Sequence, residues 1–183
     1  MNADCTLEGA KVRLRPVRQD DLPHFQRWLN DPDVYRWLFE IEPPVTMAQE
    51  RQWWREMRLN PNEIVWAIET REGELLGDIA LRPNFRYRWT DLGLFIGEKS
   101  LWDQGFGTDA ICTLLRHALG RMGMNRVSLM VDEDNSRAIG CYEKCGFIRE
   151  GLMREHRLVD GEPKNTVMMA VLKDEFPPRR ARR

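Results

Sequence analysis

Between Leu92 and Leu119 the chain passes from an extended run, through a loop holding Gly105-Phe106-Gly107, into a run with helical period. Leu92-Gly93-Leu94-Phe95-Ile96 reads as a strand. Ala110, Ile111, Leu114, Leu115, Ala118 and Leu119 then recur at helix spacing until Gly123 ends the run. A strand that enters a helix through a glycine turn fixes a sheet with a helix laid on it. The turn also collects free N–H groups and the positive end of the helix dipole where glycines admit a close ligand, which makes a cradle for a pyrophosphate. The pattern lacks the Lys-Ser/Thr ending of a nucleotide-hydrolase loop and the third glycine of a dinucleotide fingerprint, so on its own it is equally a packing turn.

The remaining segments supply a sheet and its cover. Lys11 to Arg15 alternates with strand period and stops at Pro16. Behind Asp20-Asp21, the apolar residues Leu22, Phe25, Trp28 and Leu29 form a helix that ends at Asn30-Asp31-Pro32. Thr46 with Gln49 is a capping box for a second helix, which carries Met47, Trp53, Trp54 and Met57. A linker rich in proline, acid and aromatic groups, Val34 to Pro44, lies between them. Strands are expected at Ile64–Ile68, Leu75–Leu81 and Trp89–Ile96, then at Arg126–Val131. A short helix through Ala138, Ile139, Tyr142 and Cys145 stops at Gly146, and two last strands, Arg149–Leu158 and Asn165–Leu172, flank an Asp160-Gly161 turn. The expectation is one α+β domain, residues 1–176, with a mixed, mostly antiparallel sheet of about seven strands and about four helices. Residues 177–183 form a basic tail.

Composition narrows the function. The 183 residues carry 28 basic against 29 acidic groups, so no single sign of charge dominates and a histone-like or polyacidic role is excluded. Removing the four arginines of Arg179-Arg180-Ala181-Arg182-Arg183 takes the net charge from −1 to −5. The tail admits contact with nucleic-acid phosphates, but a solubilising end is the preferred reading, so no nucleic-acid partner is expected. No cationic leader or long apolar run appears, and four cysteines are too few for a disulfide scaffold. The chain therefore reads as a cytoplasmic protein with reduced thiols and no membrane partner. Cys141 and Cys145 share a helix face but lack two further ligands, and His24, His117 and His156 are scattered, so no metal is expected.

A second segment decides the meaning of the turn. Val131-Asp132-Glu133-Asp134-Asn135-Ser136-Arg137-Ala138, continuing to Tyr142-Glu143-Lys144-Cys145-Gly146-Phe147, resembles the coenzyme-A-binding half of GCN5-related N-acetyltransferases, the GNAT family. Gln104-Gly105-Phe106-Gly107 falls where that family keeps its pyrophosphate turn. Trp102 stands at the turn's usual Arg/Gln position, as it does in related members, since backbone N–H groups do most of the phosphate binding. The resemblance spans residues 10–175. Leu14-Arg15-Pro16, Asp20-Asp21, Asn30-Asp31-Pro32 and Asp160-Gly161 before Met168-Met169 are similar to the branch that holds ribosomal-protein N-terminal and spermidine acetyltransferases.

The resemblance implies transfer of an acetyl group from the cosubstrate acetyl-CoA to an amine. Exposing the lone pair of a lysine-like amine at pH 7 costs about 4.6 kcal/mol, against about 1 kcal/mol for an α-amino group, so a base matters most for a polyamine or lysine acceptor. The implied coenzyme contacts are Phe95, Ile96, Gln104, Gly105, Phe106, Gly107, Thr108, Asn135 and Tyr142. Tyr142 is also the implied general acid, with core packing as its alternative. Asn135 either hydrogen-bonds the pantetheine arm or caps a helix, or does both. A carbonyl oxygen would be polarised by a backbone N–H at a strand bulge near Phe95 or Ile96. Asp91 is the candidate base, with a solvated strand-end carboxylate as its alternative.

Glu40, Glu42 and His156 are alternative bases or, by preference, surface groups or cation-binding charges. With Trp37 they make the candidate acceptor site. Trp28, Trp37, Trp53, Trp54 and Trp66 either line an aromatic acceptor cleft or, the preferred reading, serve core and interface. The acceptor is read as a small cationic amine or a peptide N-terminus, and a homodimer is expected. The competing readings are a coenzyme-A-binding sensor without transfer activity and an RNA-binding protein driven by the tail.

Overall fold

The computed structural model describes residues 5–39, 41–159 and 161–176; Glu40, Asp160 and the basic tail lie outside the described residues. Eight strands form one sheet: β1 (Leu7–Glu8), β2 (Val12–Pro16), β3 (Ile64–Thr70), β4 (Leu75–Asn84), β5 (Trp89–Ile96), β6 (Arg126–Asp132), β7 (Ile148–Val159) and β8 (Glu162–Leu172). Their order is β1-β2-β3-β4-β5-β6-β8-β7, and every neighbouring pair is antiparallel except β5 with β6. Among the described residues five α-helices accompany them: α1 (Leu22–Leu29), α2 (Pro32–Tyr35), α3 (Met47–Met57), α4 (Phe106–Leu115) and α5 (Ser136–Lys144).

Two short elements go beyond the expected set. β1 has two residues, too few to show a period, and exists because Leu7 pairs with Leu14. α2 lies partly in the expected linker: Asp31 ends one helix and begins the next, its carboxylate accepting from the Asp33 N–H at 3.0 Å with Pro32 in the first turn. The run expected as one helix to Gly123 is α4 followed by a wider π turn over Arg116–Arg121. The capping box of α3 is formed: Gln49 accepts from the Thr46 N–H at 2.8 Å, and Thr46 accepts from the Gln49 N–H at 3.3 Å.

The sheet buries both faces over its first half. On one face, Val12, Leu14, Ile64, Trp66, Ile79, Leu81, Leu92, Val127 and Leu129 pack against Ile111, Leu114 and Leu115 of α4 and Ile139 and Tyr142 of α5. On the other, Ala67 and Phe95 meet Leu22, Phe25 and Trp28 of α1, with Trp53 and Trp54 of α3 against them. Arg15, 5% exposed, ties these layers together. Its guanidinium donates twice to Asp21 at 2.8 Å, fixing the entry to α1, and again to Glu69 on β3. The second half of that face, over β6, β8 and β7, is crossed by no helix among the described residues and exposes Met130, Ile148, Met168 and Leu172.

Candidate active site

The site begins where two strands part. β5 and β6 pair only at Trp89 with Arg126, Thr90 with Val127 and Asp91 with Ser128; both strands then continue, to Ile96 and Asp132, without pairing. β4 stays in register with β5 throughout, from Gly77 opposite Ile96 to Asn84 opposite Trp89. The expected bulge near Phe95 or Ile96 is therefore absent. The unpaired backbone groups arise because β6 diverges, leaving alternate N–H and C=O groups of Leu92 to Ile96 facing the gap. A cavity of about 980 Å³ occupies this gap and runs beneath α3.

At one end of the gap stands the glycine turn. Gly105 adopts φ +83°, the left-handed conformation that a glycine takes without strain, and its carbonyl accepts from Asp109 N–H at 3.1 Å to open α4. The first amides of the helix, on Phe106, Gly107 and Thr108, have no intrahelical partner and line the cavity. Two cations reinforce them. Lys11 Nζ donates to the Gln104 carbonyl at 2.8 Å, and the Arg137 guanidinium stacks 3.7 Å from the Trp102 ring centre. The Trp102 indole N–H in turn donates to the Ile96 carbonyl at 2.8 Å, which pins the loop to the end of β5. These groups suit a diphosphate: oriented N–H donors, two cations and a backbone held open. The Gln104 side chain turns back to donate to Ser100 and does not line the cavity.

Asn135 and Tyr142 enter from α5 and both line the cavity. Asn135 caps the helix by accepting from Ala138 N–H at 3.1 Å, leaving its amide NH₂ for another partner. Tyr142 is 8% exposed and packs 5.8 Å from the Phe147 ring; burial drives its hydroxyl's pKa well above the usual phenol range, so it stays protonated. Beside it Cys141 contacts the Thr108 hydroxyl at 3.2 Å, and hydrogen bonds from Cys145 and Thr108 pull its thiol down to about 7. Cys112 and Cys145 sit 3.6 Å apart behind it, with Cys145 buried.

At the other end lies a set of carboxylates. Asp91 occupies the last paired rung and accepts from the Ser128 hydroxyl at 2.6 Å. On the same sheet face Arg82, opposite Asp91, pairs with Glu63 at 2.9 Å. Further in, Asp78 lies opposite Phe95, and desolvation together with the charges of Glu63 and Glu50 pushes it up to about 7. Glu50 of α3 is 5% exposed and is also pushed to about 7 by burial. Trp37, Trp53, Phe25 and Glu42 complete the wall.

The linker that carries Trp37 and Glu42 is tied to the sheet by Arg157. Its guanidinium donates to Asp132 at 2.7 Å and to the Leu38 carbonyl at 3.3 Å, and lies 4.0 Å from the Phe39 ring centre.

The structure thus brings Phe95, Ile96, Gly105, Phe106, Gly107, Thr108, Asn135, Tyr142, Asp91, Trp37 and Glu42 to one cavity. His156 does not itself line the cavity: its Nδ1 lies 3.1 Å from the Thr166 hydroxyl on the β7–β8 hairpin, and its ring meets that of Phe39, which does, at 6.5 Å. Glu40 lies outside the described residues. Trp28 and Trp66 belong to the core, whereas Trp37, Trp53 and Trp102 line the cavity. Sequence reasoning missed Glu50, Asp78, Arg137, Lys11 and Cys141. A signal existed for two of them: Asp78 interrupts the apolar run Leu76 to Leu81, and Glu50 falls three residues from both Met47 and Trp53 on their stripe. Among the described residues no cluster of three His, Cys, Asp or Glu groups could hold a metal, and no helix is long and apolar enough to cross a membrane.

Comparison with known proteins agrees with this geometry. The model of a family described as an acetyltransferase (GNAT) domain matches residues 11–148. An uncharacterized protein of Methanocaldococcus jannaschii is 24% identical over 155 residues, which cover 83% of this chain and 31% of that longer protein. The spermidine N(1)-acetyltransferase of Escherichia coli K12 is 24% identical over 166 residues, covering 90% of this chain and 88% of its own. The crystal structure of spermidine N-acetyltransferase from Vibrio cholerae, in complex with CoA and spermine, superposes with a TM-score of 0.83 at 22% identity, covering 90% of this chain and 96% of that one.

Proposed function

Because the chain belongs to the GNAT acetyltransferase family, we propose that it transfers an acetyl group from acetyl-CoA directly to a primary amine, a small cationic amine or a peptide N-terminus, in the cytosol. The observation that carries this reading is the single cavity that joins a diphosphate cradle at one end to a set of carboxylates at the other. When bound, acetyl-CoA supplies an acetyl group activated as a thioester.

The residues present fit that group. The amides of Phe106, Gly107 and Thr108, with Lys11 and Arg137, hold the diphosphate. The edge of β5 from Leu92 to Ile96, apart from the Ile96 carbonyl that Trp102 holds, and the Asn135 amide receive the amide-bearing arm. Tyr142, kept protonated by burial, is the proton donor. Asp91, oriented by Ser128, accepts a proton from the incoming amine directly or through a water. The spermidine acetyltransferases among the relatives make a polyamine the first acceptor to test. The bare face of β6, β8 and β7 supports a homodimer as part of the same reading, and sedimentation at micromolar concentration checks it.

The experiment is release of free coenzyme A, followed with a thiol reagent, across a panel of polyamines, N-terminal peptides, amino sugars and amino acids. We expect one class to react and Tyr142→Phe to lower kcat by about 10²–10⁴-fold with acetyl-CoA affinity retained. Silence across the panel while acetyl-CoA still binds overturns transfer and leaves a coenzyme-binding module.

A further inference from the structure

We propose that Glu50 and Asp78 form a recessed subsite that receives an ammonium group of the acceptor. This deepens the transfer reading and rests on it for its place beside the reacting centre. Asp78 stands on β4 between Ala67 of β3 and Phe95 of β5, on the sheet face covered by α1 and α3. Glu50 reaches the same cavity from α3, one turn before Trp53.

What separates this pair from an ordinary acidic cluster is the state of Glu50. Its side chain is buried, its Oε2 has no hydrogen-bond partner among the described residues, and yet it lines the cavity. An acid held there without a partner disfavours the folded state unless a ligand supplies the missing donor.

The surroundings suit an alkylammonium ion. Phe25, Trp53 and Phe95 form edge-on contacts, with ring centres 6.1 Å apart for Phe25 with each of the other two, and all three line the cavity. Such rings also attract a cation. Among the described residues, Glu63, Arg82, Asp91 and Glu42 are the other charged groups that line this part of the cavity. Arg82 lies 2.9 Å from Glu63, and Asp91 accepts from Ser128. Lys144 and Arg137 belong to the far end, beyond Tyr142.

Burial pushes both acids up to about 7, so at neutral pH each is partly protonated. An arriving cation favours the ionised forms, and protons leave the pair as it binds.

Titration calorimetry on the full chain tests this, with saturating coenzyme A, at pH 7, in two buffers of different ionisation enthalpy. The probes are butylamine and 1,4-diaminobutane, with butanol as the neutral control. The expected result is amine binding with net proton release, release that fades by pH 9, and no binding of butanol. Glu50→Gln and Asp78→Asn should each weaken amine binding by about tenfold or more and cut the proton release. Both variants keep side-chain shape, and a thermal midpoint at pH 8 no lower than that of the parent confirms their folding. If the amines do not bind, if they bind without proton release, or if both folded variants bind as the parent does, the subsite is overturned. Thiol release with an amine in that case leaves transfer standing, whereas proton-releasing amine binding without any thiol release keeps the subsite and removes the transfer reading.

Discussion

Glu50 has consequences for stability as well as for binding. Its folded pKa, about 7, lies above the ordinary 4.5, so the fold prefers the protonated form. The stability this contributes is complete below the unfolded value and is lost as pH rises from 4.5 to about 7. Glu50→Gln does not titrate. It should exceed the parent in urea denaturation at pH 8 by up to about 3 kcal/mol, with the advantage gone by pH 4; equal stability at pH 8 contradicts the burial argument. Cys141 offers a second measurement. Its thiol is acidified by Cys145 and Thr108 and lines the coenzyme end of the cavity, while Cys145 is buried. Iodoacetamide at pH 7.5 should label Cys141 ahead of Cys145 by mass spectrometry, and coenzyme A should protect it. At this scale legibility followed chain distance. Asn135, Tyr142 and Gly105 were readable because they sit in contiguous segments with recognisable spacing. Glu50 and Asp78 were not read as a pair because the register of β4 and the packing of α3, not any local pattern, bring them together.

Among elements, the strands were readable wherever four or more residues alternated or, as at Ile64–Ile68, ran continuously apolar, and the helices wherever a cap preceded an apolar stripe. β1 is too short to carry a period, and α2 hides behind a proline that served equally as a stop signal. The divergence of β5 from β6 left no mark on either strand, since both keep their apolar faces to the end; only pairing distinguishes a joined rung from a parted one. The close approach of β4 to β5 beside the gap was equally silent. A β-carbon on Gly77 would meet the Phe95 carbonyl oxygen at 2.0 Å, a backbone atom that cannot move aside. On Gly107 it would meet Cys141 and Ile96 at ordinary distances of 3.8 and 3.9 Å. Gly77→Ala should therefore cost about 2 kcal/mol or more in denaturant unfolding and weaken coenzyme A binding, whereas Gly107→Ala should fold as well as the parent. Equal stability of the two variants would show that β4 and β5 can separate without loss.

Taken whole, the molecule is two antiparallel assemblies, β1 to β5 and β6-β8-β7, that meet along three parallel rungs and are further braced by α4 and α5. Amide exchange should report this division. Leu92 to Ile96 and Leu129 to Asp132 should exchange faster than the paired β4 and β8, and slow when coenzyme A is added; unchanged exchange on addition would mean the ligand sits elsewhere. The parted strands also set a rule for what may enter. A sheet interior ordinarily consumes its own donors and acceptors, but here a stretch of strand keeps them spare, evenly spaced, and shielded from other chains by the walls of a cleft. The natural complement to such an edge is a thin, extended molecule with amides at intervals, lying down as a ninth strand. Selection would then act on the length and rhythm of a ligand's backbone before any side group is read.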